Sequence, residues 1–153
     1  MAAQYHINRE DEFIALCFDG EVDLVEIREL CQMLLSDPDF NPNWPQLADI
    51  REIDLKLTPG GMREFLNYAT CTYRPRIAAP LAFVLDGSRD DVFCAGVFRF
   101  VCRLSEAEVF DDYALAIKWL LKNGWSSPIA NELSQPQDSG RDHADAQPKQ
   151  IRA

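Results

Sequence analysis

Apolar residues recur along this chain at two spacings, and the alternation between them outlines a fold. Tyr5 to Arg9 and Phe13 to Phe18 are rich in apolar residues and flank Glu10, Asp11 and Glu12, which reads as two strands joined by a tight acidic turn. Asp19-Gly20 is expected to end the second strand. Asp23 then opens a helix: its carboxylate can cap the free amides, and Glu26 completes an acidic capping box. Leu24, Ile27, Cys31 and Leu34 repeat at helical spacing. Ser36-Asp37-Pro38 stops that helix, and Asp39 to Pro45 is a loop rich in proline and asparagine.

Leu47 to Arg51, or slightly beyond, reads as a short central strand. Thr58 is a good N-cap and Pro59 suits the first helical position, where its missing N–H would have no partner anyway. Met62, Phe65, Leu66 and Ala69 form the buried stripe of this second helix. Ile77 to Leu85 is an unbroken apolar run except for Pro80, which reads as a strand covered on both faces. Proline cannot donate to a ladder, so pairing is expected over Leu81 to Leu85. A third helix follows from about Asp91 to Leu104, then a short strand, Glu108 to Phe110. A last helix, Tyr113 to Lys122, is capped by Asp111 or Asp112 and ended by Gly124. From Asn131 onward polar residues dominate, so the folded domain is placed at 1–124 and a disordered tail at 125–153.

Composition narrows the functions available. At 153 residues the chain fits one domain, able to bury about 68–70% of its unfolded surface. A net charge of −10 disfavours phosphate backbones and anionic membranes, so no nucleic-acid partner is expected. No apolar run approaches the roughly 20 residues of a membrane span, so no integral membrane segment is expected. Met-Ala-Ala-Gln-Tyr-His has neither the basic region nor the apolar segment of a signal peptide, so the expected location is cytoplasmic. The five cysteines, Cys17, Cys31, Cys71, Cys94 and Cys102, include no Cys-x-x-Cys, and the two histidines lie near opposite ends. Reduced, buried thiols are expected, with no metal site and no cofactor.

The element order, helices alternating with short strands, argues for an α/β layer fold. It resembles the STAS domain typified by bacterial anti-sigma-factor antagonists. It is more similar still to a SpoIIAA-like branch related to lipid-binding domains of the CRAL-TRIO type. Three segments carry the resemblance: Asp37-Pro38-Asp39-Phe40; Leu47-Ala48-Asp49-Ile50-Arg51 with Leu57-Thr58-Pro59; and Val109-Phe110-Asp111-Asp112 with Ala116-Ile117-Lys118-Trp119-Leu120. Together they span residues 5 to about 124. The resemblance implies an α/β STAS-like sandwich: a mixed, mostly parallel sheet of about five strands with four helices. It also implies an Asp-Ser-Ser-Gly-Leu-like turn whose serine is phosphorylated. Here that turn falls on Thr58-Pro59-Gly60-Gly61-Met62, with proline and glycine where the serines would be. A phosphoserine switch is therefore not expected.

Three site readings follow. Thr58, Gly60 and Gly61 could hold an anion at the helix N-terminus, against the plainer reading that the glycines serve packing. Asp54, Asp86, Ser88 and Asp111 would gather beyond the carboxyl ends of the strands. They have no histidine nearby and no nucleophile elbow, so they read as solvated turn and cap residues and no enzyme is expected. The third helix is apolar on almost every side, broken clearly only by Arg99 and Arg103. A surface helix needs one stripe of about 100°. Phe93, Val97, Phe100, Val101 and Leu104 would face the core, leaving Phe98 with Cys94 and Cys102 on a flank. Phe93, Cys94, Phe98, Arg99 and Cys102 are thus the candidate contact residues. Besides ordinary core, the flank would be covered by a second subunit in a homodimer, an apolar small molecule or lipid, or the Trp44 loop. The expected function is a non-enzymatic binding module for a protein partner or such a molecule. The alternative is a degenerate antagonist-type regulator without a phosphate switch.

Overall fold

A computed structural model describes residues 2–86, 92–105 and 107–125. Within them lie β1 (Ala3–Asn8), β2 (Phe13–Asp23), α1 (Leu24–Ser36), β3 (Gln46–Lys56), α2 (Pro59–Asn67), β4 (Leu81–Val84), α3 (Val92–Ser105), β5 (Glu108–Phe110) and α4 (Tyr113–Lys122). The five strands form one sheet in the order β1-β2-β3-β4-β5. β1 pairs antiparallel with β2, and every later pair is parallel. This is the expected mixed, mostly parallel sheet with four helices.

Spatial order equal to sequence order has a consequence for layering. Parallel crossovers are right-handed, so crossovers that always step in one direction all return over the same face. α1, α2 and α3 accordingly bury Ile27, Leu34, Phe65, Val97 and Val101 in one cluster with Leu16, Ala48 and Ile50 of the sheet. α4 follows the last strand and packs on the opposite face, where Ala116, Ile117 and Leu120 meet Leu47, Ala82 and Val84. Alternation along β3 explains the split, because Ala48 and Ile50 face one layer and Leu47 the other.

The local chemistry matches the sequence at most helix ends. Asp23 Oδ1 accepts from the Glu26 amide at 2.9 Å and Glu26 Oε2 accepts from the Asp23 amide at 3.1 Å, a closed capping box. Asp112, not Asp111, caps α4 by accepting from the amides of Ala114 and Leu115.

Two strands run longer than expected. β2 passes through Asp19-Gly20 to Asp23, because a register shift between Cys17 and Asp19 and a φ of 77° at Gly20 absorb the irregularity. β3 reaches Lys56 because β2's extension continues to pair with it, Asp23 opposite Lys56.

The boundary at 124 is corrected. Trp125 is buried, stacked on Phe13 with ring centroids 4.6 Å apart, and its Nε1 donates to the Asp11 carbonyl at 2.9 Å. The domain therefore includes Trp125, and Asn131 to Ala153 lie outside the described residues. The physical reason is the end of α4. Gly124, at φ 111°, lets its own amide reach the Leu121 carbonyl and that of Trp125 reach Leu120. This Schellman geometry returns the next residue onto the helix's apolar side.

Candidate functional site

α3 does not present the stripe its sequence suggested. Among its described side chains Val97, Phe98, Val101 and Cys102 are buried, whereas Phe100 is 49% exposed. Phe98, expected on the flank, is 4% exposed and therefore core. It meets Phe65 edge-on at 6.0 Å and Phe83 at 5.3 Å between centroids. Aromatic pairs of this kind add roughly 0.5–1.5 kcal/mol beyond burial, which favours this rotation of the helix. Cys102 is held with Leu81 and Ala107 beside β5. The side chains of Phe93, Cys94 and Leu104 lie outside the described residues.

The five candidate contact residues are thus divided. Phe98 faces inward, while Arg99 is exposed and lines a surface groove of about 430 Å³ with Cys102, Arg103, Ala107, Glu108 and Val109. Gly96, Arg99, Phe100 and Arg103 share the outward face of α3 at helical spacing. Among the described residues, no acid pairs with Arg99 or Arg103. Sequence reasoning missed Phe100 because, in an almost wholly apolar helix, it looked like core. The signal available was its place between the two arginines. The Cys102 thiol is pushed up to about 12 by burial and then by the charge of Glu108, which keeps it protonated and a poor nucleophile.

On the inner side of α3 lies an apolar cavity of about 60 Å³. Its floor includes Ala48 of β3 and its roof Ala69, with Phe65, Phe83 and Phe98 around them. Ala48 and Ala69 are the two alanines in a wall of otherwise larger side chains. At about 24 cal/mol per Å³, the void costs the fold on the order of 1.4 kcal/mol. Ala69 belongs to an irregular segment: after α2 the chain widens into π-type turns at Tyr68–Tyr73, then tightens into a 3₁₀ turn at Arg74–Arg76. Such π turns are rare and often accompany functional sites.

Polar groups at the cavity wall are already engaged. Tyr73 donates to Gln46 Oε1 at 2.7 Å, and Arg74 donates to the carbonyls of Ile77 and Ala79 at 2.7 and 3.3 Å. Cys31 is paired with Tyr68; burial above all pushes each of the two up to about 12. Gln46 Nε2 has no partner among the described residues, but Gln46 is not part of the wall.

At the start of α2, Thr58 Oγ1 accepts from the Gly61 amide at 3.0 Å, and the Met62 amide reaches the Thr58 carbonyl at 2.8 Å. The Gly61 donor proposed for an anion is therefore spent on the cap. A Cβ at Gly61 would lie 3.1 Å from Thr58 Oγ1, so glycine serves that close approach, whereas a Cβ at Gly60 meets nothing within 4 Å.

Of the carboxylates beyond the strand ends, Asp54 does not reach Asp86. Asp54 pairs with Lys56 at 2.9 Å, and β3 extends past Val84, the partner of Asp49. Asp54 and Asp86 are therefore offset by about three residues, roughly 10 Å along the sheet. Ser88 lies outside the described residues.

Asp49 and Arg51 share the face that α4 covers only in part, and form a forked pair at 2.7 and 2.9 Å. Desolvation raises the Asp49 carboxyl, but the hydrogen bonds from Arg51 outweigh it and hold the group below its usual range. Arg51 also lies 5.7 Å from the centre of the Tyr113 ring, tying β3 to α4. This motif is accounted for by structure alone.

Among the described residues, no group of three or more His, Cys, Asp or Glu could hold a metal ion, and no helix is long and apolar enough to cross a membrane.

An α/β sheet in strictly sequential order, with three crossover helices on one face, defines the class: the fold is STAS-like. More particularly it is SpoIIAA-like. The chain is similar to the crystal structure of an uncharacterized DUF3478-family protein with a SpoIIAA-like fold from Shewanella loihica PV-4. The two share 19% identity, 78% of this chain and 92% of that chain are covered, and the TM-score is 0.53. No family model matches the chain, and no curated protein matches it.

Proposed function

We propose that this protein is a non-enzymatic binding module whose working surface is the outward face of α3 and the groove beside it. The carrying observation is Phe100, half-exposed between two arginines that have no acidic partner among the described residues, in a chain of net charge −10. A single exposed aromatic is ordinary. Phenylalanine and arginine side by side next to a concavity make an anchor with flanking charge, a composition enriched at protein interfaces. The partner is a protein segment that carries carboxylates beside an apolar side chain. The module acts without a phosphoserine switch, because Pro59 and Gly60 bear no hydroxyl and the Thr58 oxygen is committed to its helix. The buried, protonated thiols Cys31 and Cys102 favour binding over nucleophilic catalysis.

A fluorescein-labelled peptide alternating glutamate and leucine is the probe. Anisotropy should show binding that weakens with salt and is lost in Phe100→Ser and in Arg103→Glu, both with unchanged circular dichroism. Equal binding by the folded variants would sink the proposal. A concentration-dependent dimer abolished by Phe100→Ser would instead make a second copy the partner.

A further inference from the structure

We infer that the outer edge of β1 docks an extended segment of a partner protein that carries lysine or arginine beside apolar side chains, a surface separate from the outward face of α3. β1 ends the sheet and pairs only with β2. The Asp19 amide donates to the Ala2 carbonyl at 2.7 Å, and the Ile14 amide turns the other way, to the Pro45 carbonyl at 3.0 Å. In an antiparallel ladder alternate residues exchange hydrogen bonds. This phase commits the main chain of Gln4, His6 and Asn8 to β2 and points the amides and carbonyls of Ala3, Tyr5 and Ile7 outward, about 7 Å apart. Exposed edges are usually blunted by a proline, a bulge, a charged side chain or a very short strand. The opposite edge, β5, has three residues and carries Glu108. β1 has six, reads Ala-Gln-Tyr-His-Ile-Asn, and keeps an unbroken register with β2.

A groove of about 130 Å³ lies at the start of this edge, lined by Ala3 with Glu26, Glu29, Leu30 and Met33 of α1, and Met33 is 52% exposed. Among the described residues no base pairs with Glu29. Further along, Tyr5 donates to Asp37, and Arg9 is spent on Asp39. The edge is apolar and acidic, so charge selects a cationic occupant. The same charge disfavours a second copy. Antiparallel pairing of two β1 edges sets both α1 helices side by side on one face and brings their Glu26 and Glu29 together, in chains of net charge −10. One helical turn, about 5.4 Å, separates Glu29 from Met33. That is close to the two-residue step of a strand, so the fitting segment has a base for Glu29 and an apolar residue for Met33 two positions apart.

The probe is the peptide Thr-Val-Thr-Lys-Thr-Val-Thr-Lys, read by amide hydrogen exchange of the ¹⁵N-labelled full chain. In the free protein the amides of Ala3, Tyr5 and Ile7 should exchange fast and those of Gln4 and His6 slowly. Saturating peptide should slow the first three. Two N-methylated copies, one blocked at the valine and lysine amides and one at the threonine amides, separate pairing from mere charge, because only alternate amides of an added strand face β1. One copy should lose binding, and equal binding by both overturns the proposal. Glu29→Lys should weaken anisotropy-measured binding several-fold with unchanged circular dichroism, whereas Phe100→Ser should leave it unaltered. Exchange at Ala3, Tyr5 and Ile7 that stays fast with peptide present overturns the site, as does full binding by folded Glu29→Lys or loss of binding in Phe100→Ser. Protection of the three amides that grows with protein concentration alone makes a second copy the occupant and overturns the cationic partner. Should Glu29→Lys fail to fold, the exchange pattern of the wild type decides alone.

Discussion

Trp125→Ala tests where the domain ends and what closes its second layer. The indole is 7% exposed, stacks on Phe13 with an interplanar angle of 18°, and donates to a carbonyl 114 positions earlier in the chain. Truncating a buried tryptophan costs about 3–5 kcal/mol, which includes the cavity left behind. The freed Asp11 carbonyl sits in the β1–β2 turn and can turn to water, so it adds little to the lower figure. Trp125→Phe separates the terms, since it keeps a stacked ring and removes only the donor, for about 1 kcal/mol. A domain of this size has about 5–15 kcal/mol of total stability, so the alanine variant loses a large share. At roughly 2.1 cal/mol/K per residue, each kcal/mol lowers the midpoint by about 4 °C. Urea titration followed by tryptophan-independent far-UV circular dichroism is the assay. As a control, a chain ending at residue 130 should unfold within a degree or two of the full chain. A loss below about 1 kcal/mol for Trp125→Ala would refute the packing of this residue and return the boundary to 124.

Other substitutions check single interactions. Phe98→Glu should abolish the cooperative fold, because it places a charge among Phe65, Phe83 and Val101; a folded, soluble variant seen by circular dichroism would put Phe98 outside the core. Thr58→Ala should cost about 1 kcal/mol in urea, with Thr58→Ser close to wild type, since the hydroxyl alone caps the Gly61 amide. Gly124→Ala should cost about 1–2 kcal/mol, because φ 111° is strained for any residue with a Cβ. Asp49 has a folded pKa held down, so its contribution is present above the unfolded value of about 3.9 and is lost as pH falls through the lower folded value. Wild type and Asp49→Asn should therefore converge in stability at strongly acid pH and differ by less than about 1 kcal/mol near neutrality, the pair being half-exposed; a gap that widens on acidification contradicts the assignment.

How far the sequence carried differs by element, for physical reasons. The capping box at Asp23 and Glu26, the cap at Thr58 and the proline-trimmed strand at Leu81 were legible because each depends on residues within a few positions. β3's full length was not, since its outer half is held by the extended part of β2, a partner with no local signal. The burial of Trp125 had a signal that was passed over. A glycine just past a helix followed by a large apolar residue is the Schellman pattern, and the apolar residue normally packs back on the helix. The π-type turns at Tyr68–Tyr73 had no such signal, and the cavity beneath them depends on where three strands and three helices meet.

α3 shows why the candidate site was the hardest part to read. A helix reveals its buried side through contrast, and between Val92 and Leu104 the clear contrast is two arginines. Arg99 and Arg103 lie one turn apart, so they mark one outward line and fix the opposite side as inward. On that geometry Phe100 neighbours the charged line, and Phe98, with Val101 and Cys102, belongs inside, as observed. The apolar excess then divides into two parts with different explanations. One part fills the space beneath α3, where sequential right-handed crossovers stack three helices on one face of the sheet and leave the other to α4. Among the described residues the part left over in water is Phe100, and it lies beside a groove and two arginines that pair with no described acid. That coincidence, rather than the apolar content of the helix, is what distinguishes a contact surface from a core.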